Sequence, residues 1–249
     1  TAKWIWGIYA GMTGTLIVLL VFGGMSVFDS ICHAFTTTST GGFSTKQASI
    51  EYYHSPYIDY VISIFMFLSG INFTLLLLMF NGKIKKFIHD AELKFYFWCV
   101  SIAVWLHQTS SMEIEEAFRK SLFQVISLQT STGFATADYM LWPSILWGCL
   151  LIVMIIGACA GSTTGGIKCI RMVILFQVVK NEFKHILHPN AVLPVRVNKQ
   201  VISPSIQSTV LAFTFLYAVI AIISILIMMG LGVGFLESIG TVISSMGNM

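Results

Sequence analysis

Two short tracts carry the chemistry of this chain: TTTSTGGFST from Thr36 and QTSTGFAT from Gln129, each set between long apolar runs. Their side chains offer hydroxyl oxygens. Their glycines let the backbone turn successive carbonyls toward one axis, through angles that a Cβ resists. Such oxygens can replace the water shell of a cation, as in cation-selective filters. Neither tract places a nucleophile beside a base. The six His form no HExxH or paired arrangement, and His33, close to the first tract, reads as a packing or interfacial residue. Cys32, Cys99, Cys149, Cys159 and Cys169 are odd in number and lack CxxC spacing, so neither a disulfide framework nor a zinc site is indicated.

The setting of the tracts decides what they can do. Of 249 residues, 56% are hydrophobic and 10% charged, against roughly 25% charged in a soluble domain. This is the composition of a membrane protein. Uncharged stretches run from Trp4 to Met25, Tyr60 to Phe80, Tyr139 to Ile167 and Val201 to Leu236, each reaching the ~20 residues of a spanning helix. A further run, Phe95 to Leu106, has 12 residues and is short for a crossing unless broken or re-entrant. Trp4 to Met25 is too long for a signal-peptide core. The chain starts without Met and stops at SSMGNM, which predicts that it belongs to a longer polypeptide.

Lys83, Lys85, Lys86 and Lys94 follow the second stretch, and Lys168, Arg171, Lys180, Lys184, Arg196 and Lys199 precede the last. By the positive-inside rule both segments face the cytoplasm. Basic clusters flanking spanning helices are commoner than nucleic-acid surfaces, so the expected surroundings are membrane lipid and no nucleic acid. An intramembrane enzyme would need paired His, Asp or Glu within the spans. Only Asp59 comes close, and it sits near the outer end of its stretch as an interfacial residue. No enzyme and no covalent cofactor are expected.

The tracts belong to an internal repeat. SICHAFTTTSTGG from Ser30, SLFQVISLQTSTG from Ser121 and SIGTVISSMGNM from Ser238 align without gaps. Their apolar positions, Ile31/Ala34/Phe35, Leu122/Val125/Ile126 and Ile239/Val242/Ile243, fall at i, i+3 and i+4, one face of a helix. Three short helices with the same buried face are predicted, near Ser26 to Phe35, near Glu115 to Ile126 and from Ser238. Gly42 and Gly133 both stand 12 residues after the repeat serine. With the flanking stretches the unit reads helix, short helix, tract, helix, and the basic loops make each short helix re-entrant. Repeats of this kind build transport proteins around a central pathway. A re-entrant helix entering from outside aims its carbonyl end at the membrane centre, where it favours cations. Irregular polar backbone at that depth is tolerated only when buried in protein or lining a watery cavity. The alternative is that the tracts are ordinary Ser/Thr/Gly loops outside the membrane.

STGGFST, QTSTGFATAD, GACAGSTTGGIKCIR from Gly157 and terminal SSMGNM, in this order, resemble the Trk/Ktr/HKT superfamily of potassium transporters, most of all the bacterial Trk-type membrane subunit. The resemblance covers essentially the whole chain. It implies an all-α integral membrane protein of four membrane helix, re-entrant pore helix, filter loop, membrane helix units around a central ion pore. Residues 1–80 would be the second unit, 81–94 a cytoplasmic loop, 95–185 the third unit with a broken second helix, 186–203 a cytoplasmic loop, and 204–249 the first half of the fourth.

Carried onto the matching motifs, the filter of the second unit is Ser39, Thr40, Gly41, Gly42 and Phe43, and that of the third is Thr130, Ser131, Thr132, Gly133 and Phe134. Gly247, Asn248 and Met249 approach the fourth but omit its key glycine. Bound K+ would lie at Thr40, Gly41, Gly42, Thr132 and Gly133. The resemblance further implies a homodimer in the inner (plasma) membrane, with a cytosolic nucleotide-binding regulatory subunit docked on Lys83 to Lys94 and Lys180 to Lys199. Two departures stand out. The TVGYG tract of potassium channels is absent, implying looser selection, and Phe95 to Leu106 is shorter than the family requires.

GACAGSTTGG from Gly157 interrupts the third stretch with four Gly in ten residues, each worse for a helix than Ala by roughly 1 kcal/mol. A break is predicted there. A phosphate-binding loop fails, because Ile167 precedes Lys168 and Cys169 replaces the required Ser or Thr. Close packing between helices is one reading. The resemblance favours another, a mobile gate under the filter made by Gly157, Gly161, Ser162, Thr163, Thr164, Gly165, Gly166 and Lys168. The expected function is potassium uptake through a gated channel-like pore, with a symporter coupled to Na+ or H+ as the alternative.

Overall fold

The computed structural model describes residues 2–107, 114–138, 142–191 and 193–248. Its helices are α1 (Ala2–Phe22), α2 (Val27–Thr38), α3 (Pro56–Ser69), α4 (Phe73–Phe80), α5 (Ile84–Ile88), α6 (Ala91–His107), α7 (Ile114–Gln129), α8 (Ser144–Ile156), α9 (Cys169–Leu187), α10 (Pro204–Gly230) and α11 (Phe235–Gly247). Strands β1 (Arg196–Val197) and β2 (Gln200–Val201) form one small hairpin. Among the described residues, Lys3–Phe22 and Pro204–Gly230 are long and apolar enough to cross a membrane. Trp4, Trp6, Phe22 and Phe215 stand exposed on them, as lipid-facing side chains do.

The other two expected spans are broken. Tyr60 to Phe80 divides into α3 and α4, bent by 101°. Gly70 closes α3 with its N–H on Met66 O at 3.0 Å, and Asn72 opens α4 by accepting from Thr74 N at 2.8 Å. Within the stretch from Tyr139, α8 runs for 13 residues and stops where Gly157 turns to φ 70°. Conversely, the short run from Phe95 lies in a helix of 17 residues, about 25 Å long at 1.5 Å per residue. Glu92 and Lys94 had hidden its first turn.

The repeat is visible in backbone geometry. The residue ten places after each repeat serine is left-handed: Thr40 at φ 55°, Ser131 at 54° and Asn248 at 62°. Thr40, Ser131 and Asn248 donate to Thr37, Leu128 and Ser245 carbonyls at 3.2, 3.2 and 3.3 Å. Gly41 and Thr132 then reach back to Thr36 and Ser127 carbonyls at 2.8 and 2.9 Å. These are the two bonds of a Schellman helix end. A β-branched Thr is a rare occupant of that region, so its recurrence in register with Ser131 and Asn248 marks a shape that the repeat requires.

The shared buried face holds in two copies only. Val125, Ile126, Val242 and Ile243 are buried, whereas Ile31 is 38% and Phe35 54% exposed beside a buried Ala34. The neighbours explain this. α7 packs on α3 and α11 on α8, so the inner helix of one unit covers the short helix of the next. α2 touches α1 and α3 and has no such neighbour among the described residues. What all three copies bury completely is the repeat serine itself, Ser30, Ser121 and Ser238.

One ion pair locks α3 to α7. Arg119 Nη1 lies 2.5 Å from Asp59 Oδ2, both side chains nearly out of solvent, while Glu115 Oε1 accepts from Arg119 Nε and Tyr60 OH, each at 3.1 Å. Asp59 is thus a buried, paired residue between two units rather than a lone interfacial one.

Candidate ion pathway

α2 and α7 bring the first two tracts into contact. A Cβ on Gly42 would stand 1.6 Å from Thr132 O, so only glycine permits this approach, and its φ of 67° lies in the left-handed region that favours glycine. Thr40 Oγ1 bonds Ser39 O at 2.7 Å, and Thr130 and Thr132 hydroxyls bond each other at 2.7 Å. Ser127 Oγ donates to Phe134 O at 2.7 Å and ties the end of the second tract to its own helix. Gln124 Oε1, Gln129 Oε1 and Ser131 Oγ are buried oxygens with no protein hydrogen-bond partner among the described residues. Oxygens left over in this way suit a cation or its water. Asn248 and Gly247 end α11, and Met249 lies outside the described residues.

The two phenylalanines aligned by sequence differ. Phe134 is fully buried, 5.8 Å from the His33 ring, whereas Phe43 is 78% exposed. His33 is itself fully buried, with Nδ1 on Asp29 O at 2.7 Å and Nε2 on Ser44 Oγ at 2.9 Å. It packs behind both tracts at once. Asp29, in the first turn of α2, takes the Thr45 hydroxyl at 2.6 Å and pairs with Lys46 at 3.4 Å. The Thr45 bond outweighs burial and, with Ser26 and Lys46, holds the Asp29 carboxyl down at about 2.

The glycine-rich segment from Gly157 to Lys168 is an ordered loop. Its returning arm pairs with the end of α8 through Ile167 N to Ile155 O (3.2 Å) and Lys168 N to Ile156 O (2.8 Å). Lys168 turns its ammonium back onto the carbonyl and hydroxyl of Thr164, the latter at 2.8 Å. Ser162 Oγ bonds Thr164 Oγ1 at 2.8 Å. The loop also meets the break in the preceding unit: Phe73 N donates to Gly161 O at 3.2 Å, and Cys159 N to Gly70 O at 3.0 Å.

From there the loop touches the carbonyl end of every short helix. Thr163 Oγ1 donates to Thr38 O at 3.2 Å, and Gln129 Nε2 reaches Gly157 O at 3.5 Å. A Cβ on Gly165 would lie 1.9 Å from Gly247 O. Sequence reasoning missed three contributors here: the corner at Gly70 to Asn72, the Asp59–Arg119 lock, and Glu92. Asn72 two residues after a glycine inside an apolar run was the available signal for the first.

Three equivalent helix ends meeting one glycine-rich loop, with a broken apolar helix behind them, define an α-helical membrane protein built from repeated short helices and polar tracts. The chain belongs to the TrkH family of cation transport proteins, whose family model matches residues 5–249. It is 36% identical over 260 residues to the Trk system potassium uptake protein TrkH of Escherichia coli K12, covering 100% of this chain and 53% of that protein. The Trk system potassium uptake protein TrkG of the same organism is 36% identical over 257 residues, with the same coverage. The crystal structure of the potassium transporter TrkH from Vibrio parahaemolyticus superposes with a TM-score of 0.92 at 32% identity, covering 99% of this chain and 55% of that one. The chain spans about half the length of the relatives it matches.

Proposed function

We propose that this chain forms part of a gated pore for potassium uptake. The observation that carries the reading is the reach of one loop to Thr38, Gln129 and Gly247 together. In this reading Ser39 to Phe43, Thr130 to Phe134 and Gly247 to Met249 supply filter oxygens, and K+ rests among Thr40, Gly41, Gly42, Thr132 and Gly133. Helix carbonyl ends lend the site negative potential. Gly157 to Gly166 closes the path beneath, and the Lys168 ammonium sets a like charge against a cation below the filter. The relatives' potassium uptake supports K+ as the cargo.

The same reading assigns a homodimer in the inner membrane and a cytosolic nucleotide-binding subunit on the basic segments around Lys83 to Lys94 and Lys180 to Lys199. The test is ion flux through the full-length protein in liposomes, comparing K+, Rb+ and Na+. K+ and Rb+ passing well ahead of Na+ is the expected result, and equal passage of Na+ overturns the potassium assignment. Flux that requires an imposed Na+ or H+ gradient would make the protein a symporter instead.

A further inference from the structure

Glu92 has no part in the filter, yet it is a 5% exposed carboxylate at the start of α6. Its Oε1 accepts from Ala160 N at 2.6 Å and from Ile170 N at 3.1 Å. Ala160 lies in the glycine-rich loop and Ile170 in the first turn of α9. One oxygen therefore staples the loop to the helix that follows it, and the negative charge suits the positive end of α9. Bonds to an ionised acceptor are roughly twice as strong as neutral ones.

The position of Glu92 is set in turn from elsewhere. Asp90 Oδ1 caps the start of α6 by accepting from Glu92 N at 2.9 Å and Leu93 N at 3.0 Å. Asn198 then clips that cap from the hairpin turn. Its Oδ1 accepts from Ala91 N at 2.8 Å and its Nδ2 donates to Asp90 Oδ2 at 2.6 Å. Asn198 and Lys199 are both left-handed, at φ 51° and 67°, the geometry of a two-residue turn that favours Asn. The hairpin is seated by Val197, buried against Ile174 and Val210 beside Ala91 and Ile170. Hairpin, start of α6 and start of α9 thus form one small body, and the loop hangs from it by Glu92.

We propose that Glu92 is the positioning residue of the gate loop, and that Asn198 relays the placement of the basic hairpin to it. This rests on the loop being the gate.

The experiment measures resting Rb+ flux through the full-length protein in liposomes for E92A, E92Q and N198A, each with and without deletion of residues 161–165. Hydrogen–deuterium exchange over residues 157–172 is read in parallel. E92A should raise resting flux about tenfold, the equivalent of ~1.4 kcal/mol off the closed state. E92Q, which keeps an acceptor oxygen, and N198A, on an exposed turn, should each raise it less. Exchange over 157–172 should quicken while the tract over 127–135 stays unchanged. In the loop-deleted protein none of the three substitutions should alter flux further. If deletion raises flux but the substitutions do not, the role of Glu92 is overturned and the gate stands. If deletion leaves flux unchanged the gate reading fails, and unchanged exchange over 157–172 in E92A overturns the positioning role independently. Lowered flux from E92A in the loop-deleted protein would mark a merely structural residue and also overturn it.

Discussion

The helices that follow the first two polar tracts are both broken, at Gly70 to Asn72 and at Gly157 to Lys168, and the breaks differ in kind. The first is a bare corner. α3 stops on Gly70, Asn72 restarts the chain as α4, and the direction turns by 101° with nothing to spare. The second spends twelve residues between α8 and α9, enough to reach three helix ends. Each break frees backbone groups that water cannot satisfy at membrane depth, where an unpaired group is costly. The two breaks supply each other's partners, through Phe73 N to Gly161 O and Cys159 N to Gly70 O. The corner is therefore the platform on which the longer loop is built.

The largest effect tests what both breaks share, the placement of α3. D59A takes from the half-buried Arg119 its shorter carboxylate contact and leaves it Glu115 alone, so the cost should stay below the about 3–5 kcal/mol of a fully buried pair broken outright. Thermal unfolding of the full-length protein in detergent should fall accordingly, and both breaks should exchange amide hydrogen faster. An unchanged melting temperature would show that α3 is held by packing alone.

Next comes the same substitution made at both breaks. At Gly165 the added methyl meets the Gly247 carbonyl at 1.9 Å, a backbone atom, whereas at Gly70 it meets Tyr96 Oη at 2.5 Å, the far end of a side chain. Overpacking of this sort costs about 1–3 kcal/mol. G165A should push the loop off α11 and raise resting flux. G70A should lower stability modestly and raise resting flux less than G165A does, because Gly70 already has helical backbone angles and its added methyl meets side chains, Tyr96 and Thr130, and no backbone atom. Equal leak from the two would erase the distinction between platform and loop.

These breaks were unequally legible in sequence. Four glycines in ten residues announce the second, since no apolar helix tolerates that density. The first shows one glycine and one asparagine among FLSGINFTLLLL, and a single Gly weakens a helix without ending it. What ends α3 is tertiary: the freed groups at Gly70 and Phe73 find partners on a segment some ninety residues further on. The three short helices were legible because hydroxyl and apolar positions repeat in register. The left-handed turn after them was not, because Thr40 and Ser131 are residues that rarely take it. α6 was understated for a related reason. Glu92 and Lys94 break the apolar run, and only the structure shows that Glu92 is buried by bonding to another segment. Asp59 and Arg119 could each be noted as charges, yet nothing in their spacing of 60 residues indicates a pair.

The smallest effect bears on whether the corner supports the loop or merely lies beside it. Asn72 does two things: its Oδ1 caps α4 at Thr74 N, and its amide sits where a Cβ on Gly161 would approach to 3.2 Å. N72A removes both, and loss of a cap alone costs about 1 kcal/mol. N72S restores the cap, since Ser is as good a capping residue, but leaves the space against Gly161 unfilled. If the corner only redirects the chain, N72S should recover the melting temperature and the slow exchange of the loop together. If it carries the loop, N72S should recover the first and leave residues 157–166 exchanging as fast as in N72A. The second outcome is the one expected, because Gly161 takes its backbone bond from Phe73, the first residue that Asn72 sets in place.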